Sequence, residues 1–93
     1  MLQVNEYFDG QVKSIAVDNS KGKATAGVIA PGEFEFGTAT VEYMTITHGE
    51  MEVLLPETTE WKLYSQGETF KVEKGVSFKV KVSEPVSYLC KYE

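Results

Sequence analysis

The stretch Val76-Ser77-Phe78-Lys79-Val80-Lys81-Val82 decides the fold class of this 93-residue chain, because its side chains alternate in character. From Phe78 to Val82, every second residue is apolar and the residues between are lysines. A strand places successive side chains on opposite faces, so this pattern predicts one face in a core and the other in water. Outward from this stretch, a period of two recurs along most of the sequence, as in residues 12–17.

Turn residues divide the rest of the chain into short strands at regular intervals. Turns are predicted at 18–22, which contains aspartate, asparagine and glycine, at Pro31-Gly32, and at His48-Gly49-Glu50. Further turns are expected at 65–68, 74–75 and 84–85. No long window has the apolar repeat of a helix. The strands are predicted at 11–17, 24–30, 33–37, 39–47, 51–55, 60–64, 69–73, 76–82 and 86–92.

Many short strands predict a single all-β domain over residues 1–93, either a sandwich or a closed barrel, since both protect strand edges. The length suits one domain, and a core of this size gives modest stability. The form of segment 1–8 is left open by its pattern, although Tyr7 and Phe8 are expected to pack it against the fold.

The charge of the chain excludes several classes of partner. The chain has fourteen acidic residues, nine lysines and no arginine, which gives a net charge of −5. A nucleic-acid backbone favours a basic face, and a membrane surface favours a basic cluster, so neither partner is expected. Any phosphate must be held by lysines, hydroxyls or backbone N–H groups, because no guanidinium fork is present.

The sequence predicts a cytoplasmic protein. No apolar run approaches the roughly 18 residues that span a bilayer, and the start of the chain lacks the basic and apolar regions of a secretory signal. Cys90 is the only cysteine, so an internal disulfide is excluded and a free thiol suits a reducing compartment.

Two stretches resemble the paired motifs of the cupin barrel. The first is Glu42-Tyr43-Met44-Thr45-Ile46-Thr47-His48-Gly49-Glu50-Met51-Glu52-Val53, in which the glutamate precedes the turn glycine by seven residues. The second is 67–78, in which Gly75 is followed three residues later by Phe78, where the cupin motif has a metal-binding histidine. The resemblance implies a single-domain, cupin-like barrel, also described as a double-stranded β-helix or jelly roll.

The cupin metal ligands are missing from these motifs. The histidine positions six and four residues before Glu42 hold Phe36 and Thr38, and the third histidine position holds Phe78. A transition metal needs about three or four protein ligands, which a lone carboxylate does not supply. His48, the only histidine, lies in a turn. We therefore expect neither a metal nor another cofactor.

A second resemblance extends over nearly the whole chain. The sequence is similar to the short cupin-like proteins known as pyrimidine/purine nucleoside phosphorylases. This family cleaves purine and pyrimidine nucleosides with inorganic phosphate, which is a co-substrate. The matching residues are Leu2-Gln3, Asn5 to Phe8, Gly10, Val12 to Ile15, Gly27-Val28, Gly32-Glu33, Phe36, Thr38, Ala39, Glu42, Met44-Thr45, Val53 to Pro56, Trp61, Tyr64, Gly67, Glu84-Pro85 and Ser87 to Cys90.

The resemblance implies a set of site residues. Glu42 would contact the ribose hydroxyls and favour positive charge on the sugar, and Tyr88, which shares parity with Cys90, would point inward to base or phosphate. These two are the candidate catalytic residues. Lys91 stands where the family often has arginine, which weakens a bidentate phosphate role. The candidate substrate-binding residues are Thr38, Tyr43, Thr45, Trp61, Tyr64 and Lys91.

The base specificity would follow from aromatic stacking. Trp61, Tyr43 and Tyr64 are candidate stacking surfaces, and stacking contributes about 1–3 kcal/mol per base whatever its identity. Hydrogen-bond readout would instead reject analogues by about 10⁴–10⁵. A site that holds bases by their faces is expected to accept purines and pyrimidines alike.

Structural interpretations of the same residues stay open. Glu42 can pair with a lysine near the barrel mouth, while Trp61 and Tyr88 can serve core or interface packing. Cys90 fits a small buried apolar residue, and His48 an exposed turn. A non-catalytic barrel that binds or senses a small molecule is the alternative function, and a structural dimerising domain is a third. A homodimer is expected, since strand edges pair with a symmetric copy.

Overall fold

The computed structural model describes residues 2–93, which form ten strands and no helix. No helix in this part of the chain could therefore cross a membrane. The strands are β1 (Val4–Tyr7), β2 (Val12–Ala16), β3 (Ala24–Ile29), β4 (Gly32–Gly37), β5 (Glu42–His48), β6 (Glu50–Leu54), β7 (Lys62–Ser65), β8 (Thr69–Val72), β9 (Ser77–Val82) and β10 (Val86–Tyr92).

Two antiparallel sheets contain all ten strands. One sheet has six strands in the order β1-β2-β3-β10-β5-β8, and the other has four in the order β4-β9-β6-β7. The alternation in β9 has the predicted effect, since Phe78, Val80 and Val82 are buried and the intervening Lys79 and Lys81 are exposed. The all-β prediction is confirmed.

Buried apolar side chains from both sheets form one core. Its fully buried members include Ile29 and Ile46 of the larger sheet and Met51, Val53 and Val80 of the smaller one. The two sheets therefore pack face to face, because each buries the apolar half of its alternating pattern. A cavity at one end of this core is lined by residues of both sheets, among them the polar, inward-facing Ser14 and Glu42.

The nine predicted strands are all present, with ends shifted by at most three residues. The structure adds β1, which lies within the segment whose form was left open, while Met1 of that segment lies outside the described residues. Strand β1 pairs only with β2 and is largely exposed, so its sequence has no burial pattern to recognise. Residues 39–41, predicted as strand, precede β5 without joining a sheet.

Candidate active site

A cavity of about 500 Å³ lies between the sheets at the end where β5 begins and β10 finishes. The last residues of β1, β4 and β10 and the first residue of β5 all contribute to its wall. Ligand pockets are commonly about 300–1,000 Å³, so the cavity can hold a small molecule. Its lining residues are Tyr7, Phe8, Ser14, Glu35, Phe36, Gly37, Ala39, Glu42, Met44, Phe78, Tyr88, Cys90 and Tyr92.

Glu42 brings a partly buried carboxylate into this cavity. It is the first residue of β5, pairs with Tyr92 of β10 and lies on the same face as the buried Met44 and Ile46. The Sγ atom of Cys90 donates a hydrogen bond to its Oε1 atom over 3.4 Å. Burial raises the pKa of Glu42 above the ordinary value of 4.5, and the Cys90 hydrogen bond partly opposes that increase.

Tyr88 lies across the inner face of the larger sheet, over a glycine. The register pairs Tyr88 with Gly27, and Gly27 with Ser14 on the next strand. A Cβ atom on Gly27 would lie 2.5 Å from both the Cζ and the hydroxyl oxygen of Tyr88, so the ring occupies the space that a side chain would need. Tyr88 can lie here because position 27 has no side chain, and both Tyr88 and Ser14 line the cavity.

Two of the three tyrosines that line the cavity, Tyr88 and Tyr92, remain protonated near neutral pH. Burial raises the pKa of Tyr88 well above its ordinary value of 10.0. Burial likewise raises the pKa of Tyr92 to about 12, and its hydroxyl shares a 2.9 Å hydrogen bond with that of Thr25. Both phenols can therefore donate hydrogen bonds to a ligand, which gives the cavity neutral donors on the same sheet as the Glu42 carboxylate.

Cys90 is buried beside the same carboxylate. Burial, followed by the nearby negative charge of Glu42, raises the pKa of its thiol to about 12. Nucleophilic cysteines have the opposite shift, because reactivity needs the thiolate. The environment therefore favours a role for Cys90 as hydrogen-bond donor to Glu42, not as nucleophile.

We expect Cys90 to resist alkylation in the folded protein. At pH 8, a rise in pKa from 9.0 to about 12 lowers the thiolate fraction roughly a thousandfold, and the 1% exposure of the residue blocks reagent access. Iodoacetamide labelling followed by mass spectrometry should show slow modification in buffer and rapid modification in denaturant. Equal rates under both conditions would contradict this description of the thiol.

Aromatic rings form the wall that faces the polar residues. The ring centroids of Phe36 and Phe78 are 5.6 Å apart, and Phe8 packs edge-on against Phe36 at the same centroid distance. Phe8 comes from the β1–β2 turn, where its φ angle is 54°. A ligand in the cavity would thus contact ring faces and edges on one side and Glu42 and the phenols on the other.

Several known proteins are similar to this chain in sequence and structure. A family model described as pyrimidine/purine nucleoside phosphorylase matches residues 2–92. The chain belongs to this family. A Vibrio parahaemolyticus protein of unknown function has 38% identity and a TM-score of 0.95, with 100% of this chain and 99% of that chain covered. An Acinetobacter protein of unknown function has 33% identity and a TM-score of 0.95, covering 100% and 91% respectively.

A more distant structure establishes the type of barrel. An RmlC-like cupin from Shewanella frigidimarina has 15% identity and a TM-score of 0.78, with 99% of this chain and 83% of that chain covered. The predicted cupin-like fold is confirmed by this likeness. Within the family fold, Glu42, Phe36 and Phe78 meet in the cavity, as expected from their positions in the two motifs.

The cavity offers few donors for a metal ion. Among residues 2–93, no group of three or more histidine, cysteine, aspartate or glutamate side chains is placed to hold one. Glu42 and Cys90 are the adjacent oxygen and sulfur donors, and Phe36 and Phe78 occupy the neighbouring wall. Two donors fall short of the usual three or four protein ligands.

The structure brings Glu42 and Tyr88 to the cavity and places the other predicted site residues elsewhere. Tyr43 and Thr45 alternate with Glu42 and Met44 along β5, so they lie on the outer face of the sheet. There the Thr45 hydroxyl bonds to that of Thr69 over 2.7 Å. The cavity wall does not include either residue. Substrate contact by Tyr43 or Thr45 stays a prediction of the sequence.

Thr38 and Tyr64 have structural contacts. The Thr38 hydroxyl donates to the carbonyl oxygen of Glu73 over 2.7 Å and accepts from the backbone N–H of Val76 over 3.1 Å. Tyr64 is buried in the core, with its ring centroid 4.8 Å from that of Phe70. Both residues lie outside the cavity wall, and their proposed contact with substrate stays a prediction.

Trp61 and Lys91 lie on surfaces away from the cavity interior. The Nζ atom of Lys81 is 4.1 Å from the centre of the Trp61 ring, and this ring lines a separate surface pocket. Lys91 alternates with Cys90 and Tyr92 on β10 and points to the outer side of the sheet, where it lines a groove. A substrate contact by either residue also stays a prediction.

Several cavity residues were not predicted from the sequence. Tyr92 lies two residues after Cys90 on β10, so the alternation that predicts Tyr88 and Cys90 to point inward also predicts an inward Tyr92. Ser14 has the parity of the buried Val12. Glu35 and Phe8 had no such signal, since the first lies on an exposed strand face and the second in a turn.

Proposed function

We propose that the protein catalyses the phosphorolysis of purine and pyrimidine nucleosides to free base and (deoxy)ribose 1-phosphate, without a metal. The single observation that carries this proposal is the partly buried Glu42 carboxylate in a cavity of about 500 Å³ whose other lining residues are mostly aromatic or uncharged. Membership of the pyrimidine/purine nucleoside phosphorylase family supports the same reaction class.

The reaction requires little covalent chemistry from the protein. A phosphate oxygen donates the electron pair of the new bond to C1′ of the sugar, and the electron pair of the glycosidic bond leaves with the base nitrogen. That nitrogen gains the proton that the hydrogen phosphate gives up. Cleavage of glycosidic bonds gives the sugar oxocarbenium character. Most of the catalytic effect therefore comes from positioning and from charge placed near C1′.

Glu42 supplies the negative charge for this transition state. Its ionised carboxylate would accept hydrogen bonds from the ribose hydroxyls and stabilise the positive sugar. The Cys90 thiol orients the carboxylate through the 3.4 Å hydrogen bond to Oε1. Burial strengthens the interaction because the local dielectric constant is lower than that of water.

Tyr88 and the aromatic wall would act on the phosphate and on the base. The raised pKa keeps the Tyr88 hydroxyl protonated, so it can donate a hydrogen bond to phosphate or to the departing base. The rings of Phe36 and Phe78 can contact the base through its face. Recognition by faces supports broad specificity, because every base presents a similar π-surface.

Incubation with a purine and a pyrimidine nucleoside tests the proposal. Adenosine and uridine should each release free base, detected by liquid chromatography, only when inorganic phosphate is present, and chelator treatment should leave the rates unchanged. We expect the two kcat/KM values to lie within about 10²-fold of one another. A site that recognised the base by hydrogen bonds would instead discriminate by about 10⁴–10⁵-fold. Binding of nucleoside without release of base would support the non-catalytic binding barrel instead.

A further inference from the structure

No lysine among the described residues 2–93 lines the cavity, which would have to receive a phosphate substrate. Its wall includes the acidic residues Glu35 and Glu42, although Glu35 lies on the exposed face of β4, and the chain has no arginine. Phosphate carries between one and two negative charges near neutral pH. Hydroxyl donors alone would bind such an anion weakly beside the Glu42 carboxylate, so a source of positive charge is needed near the cavity.

A groove on the outer side of the larger sheet supplies that charge. It has a volume of about 260 Å³ and is lined by Lys21, Lys23 and Lys91, together with Tyr43, Tyr92 and Glu93. Three of the nine lysines of the chain thus line one groove. We call this feature the lysine groove. Glu93 is the one acidic residue in this lining, so lysines outnumber acidic residues by three to one.

The fold places the lysine groove directly beside the cavity. Strands β3 and β10 pair Ala24 with Lys91, and the carbonyl oxygen of Lys23 accepts a hydrogen bond from the N–H of Tyr92 over 3.1 Å. Lys23 and Lys91 therefore flank Tyr92. Tyr92 lines both the groove and the cavity, so the two spaces meet at this residue.

The three lysines are available to bind an anion. The ion pairs found within residues 2–93 use Lys13, Lys71 and Lys81, and none of these lines the groove. Lys21 is held by the turn before β3, where its backbone N–H donates to Asn19 Oδ1 over 2.8 Å. The backbone is thus fixed while the long side chains can reach a ligand as point charges.

We propose that the lysine groove binds a phosphate group and delivers it to the cavity mouth. The groups that fit are inorganic phosphate and the phosphate of a pentose 1-phosphate, which share the same anionic oxygens. The role in delivery rests on the proposed phosphorolysis, whereas phosphate binding itself does not. Lysine charge at the entrance would raise the local phosphate concentration and explain how an acidic cavity receives an anion.

Titration of the ¹⁵N-labelled protein with inorganic phosphate tests binding without any need for turnover. Amide resonances of residues 21–24 and 91–93 should shift on addition of phosphate, and a second titration with ribose 1-phosphate distinguishes the two ligands. The Lys23→Gln/Lys91→Gln variant should lose these shifts. Shifts confined to other residues, or shifts unchanged in the variant, would overturn the proposal.

Steady-state kinetics test the delivery role with a charge-matched control. At low ionic strength, Lys23→Gln/Lys91→Gln should raise KM for phosphate roughly thirtyfold, with KM for nucleoside unchanged, because two unit charges are removed near the anion. The difference from wild type should shrink as salt is added. Lys62→Gln/Lys79→Gln, which replaces two exposed lysines of the smaller sheet, removes equal charge and should leave KM for phosphate unchanged.

The two experiments separate the two proposals. Active protein whose phosphate KM is unaffected by Lys23→Gln/Lys91→Gln would overturn the delivery role and leave phosphorolysis standing. Inactive protein whose groove residues nevertheless shift with phosphate would overturn phosphorolysis while supporting the anion site. An equal rise in phosphate KM in both double variants would indicate a general charge effect and would also overturn the proposal.

Discussion

Replacement of Glu42 by glutamine is expected to lower kcat for nucleoside phosphorolysis by about 10²–10³-fold, the usual loss when one preorganised electrostatic group is removed from an active site. Glutamine keeps the shape of the side chain and an oxygen that can accept from Cys90, whose Sγ lies 3.4 Å from Oε1. Only the negative charge is lost. Steady-state rates with inosine and saturating phosphate measure the effect.

The same substitution should not destabilise the fold. Burial raises the pKa of Glu42, so the folded state binds this proton more tightly than the unfolded chain does. The stabilising effect of this tighter binding is present at pH values below the ordinary 4.5 and is lost as pH rises through the folded pKa. At neutral pH, Glu42→Gln is therefore expected to have a Tm equal to or above that of wild type.

Glu52→Gln provides the matched control for both measurements. Glu52 is exposed on β6, outside the cavity wall, so the same chemical change should leave kcat and Tm close to wild-type values. A Glu42→Gln variant with undiminished kcat would contradict the electrostatic role. A variant that loses activity together with several degrees of Tm would instead indicate that the carboxylate supports the fold.

Replacement of Gly27 by alanine is expected to lower kcat/KM about 10²-fold, although residue 27 has no side chain to offer a substrate. The added Cβ atom would lie 2.5 Å from Cζ and from the hydroxyl oxygen of Tyr88, so the ring must move. Displacements of about 1 Å can cost 10²-fold in rate. The crowding should also lower the free energy of unfolding by about 1–3 kcal/mol.

Gly37→Ala is the control for the change in stability. Its added Cβ atom would find its nearest neighbours at 3.9 Å and 4.0 Å, which is ordinary contact. Such a change is expected to be neutral or to stabilise by about 0.4–1 kcal/mol through the unfolded state. Denaturant unfolding of the two variants separates crowding at Gly27 from the general effect of alanine in a strand.

Tyr88→Phe shows whether Gly27 acts through the tyrosine hydroxyl. If Gly27→Ala impairs catalysis by moving this hydroxyl, then it should reduce activity little further in the Tyr88→Phe background. Independent, multiplicative losses would contradict that coupling. Activity per folded molecule is the quantity to compare, since it removes the part of the effect that arises from stability.

The sequence predicted the fold well because burial in this protein follows strand parity. In β9, each buried residue alternates with an exposed lysine, and the strand was recognised almost to its ends. Strand β1 has exposed residues on both faces, because it lies at the edge of the sheet and covers little core. A pattern that depends on burial cannot identify a strand that buries almost nothing.

The site was predictable in part, for the same reason. The alternation of side chains along β10 correctly predicted that Tyr88 points inward with Cys90, and the cupin-like motif correctly predicted that Glu42 lies in the cavity. The same parity separates Tyr43 and Thr45 from Glu42, although residue type alone had suggested them. Phe8 could not be found, because a turn residue reaches the cavity only through the three-dimensional path of the chain.

The most direct test of the account is ³¹P NMR spectroscopy of the metal-stripped protein with inosine and inorganic phosphate. A pentose 1-phosphate resonance should grow in step with the release of hypoxanthine, and this growth should be almost absent with Glu42→Gln. Release of hypoxanthine with free ribose and no new phosphorus resonance would show hydrolysis. That result, or a rate that returns only when a transition metal is added, would contradict a cavity organised for phosphorolysis around the Glu42 carboxylate.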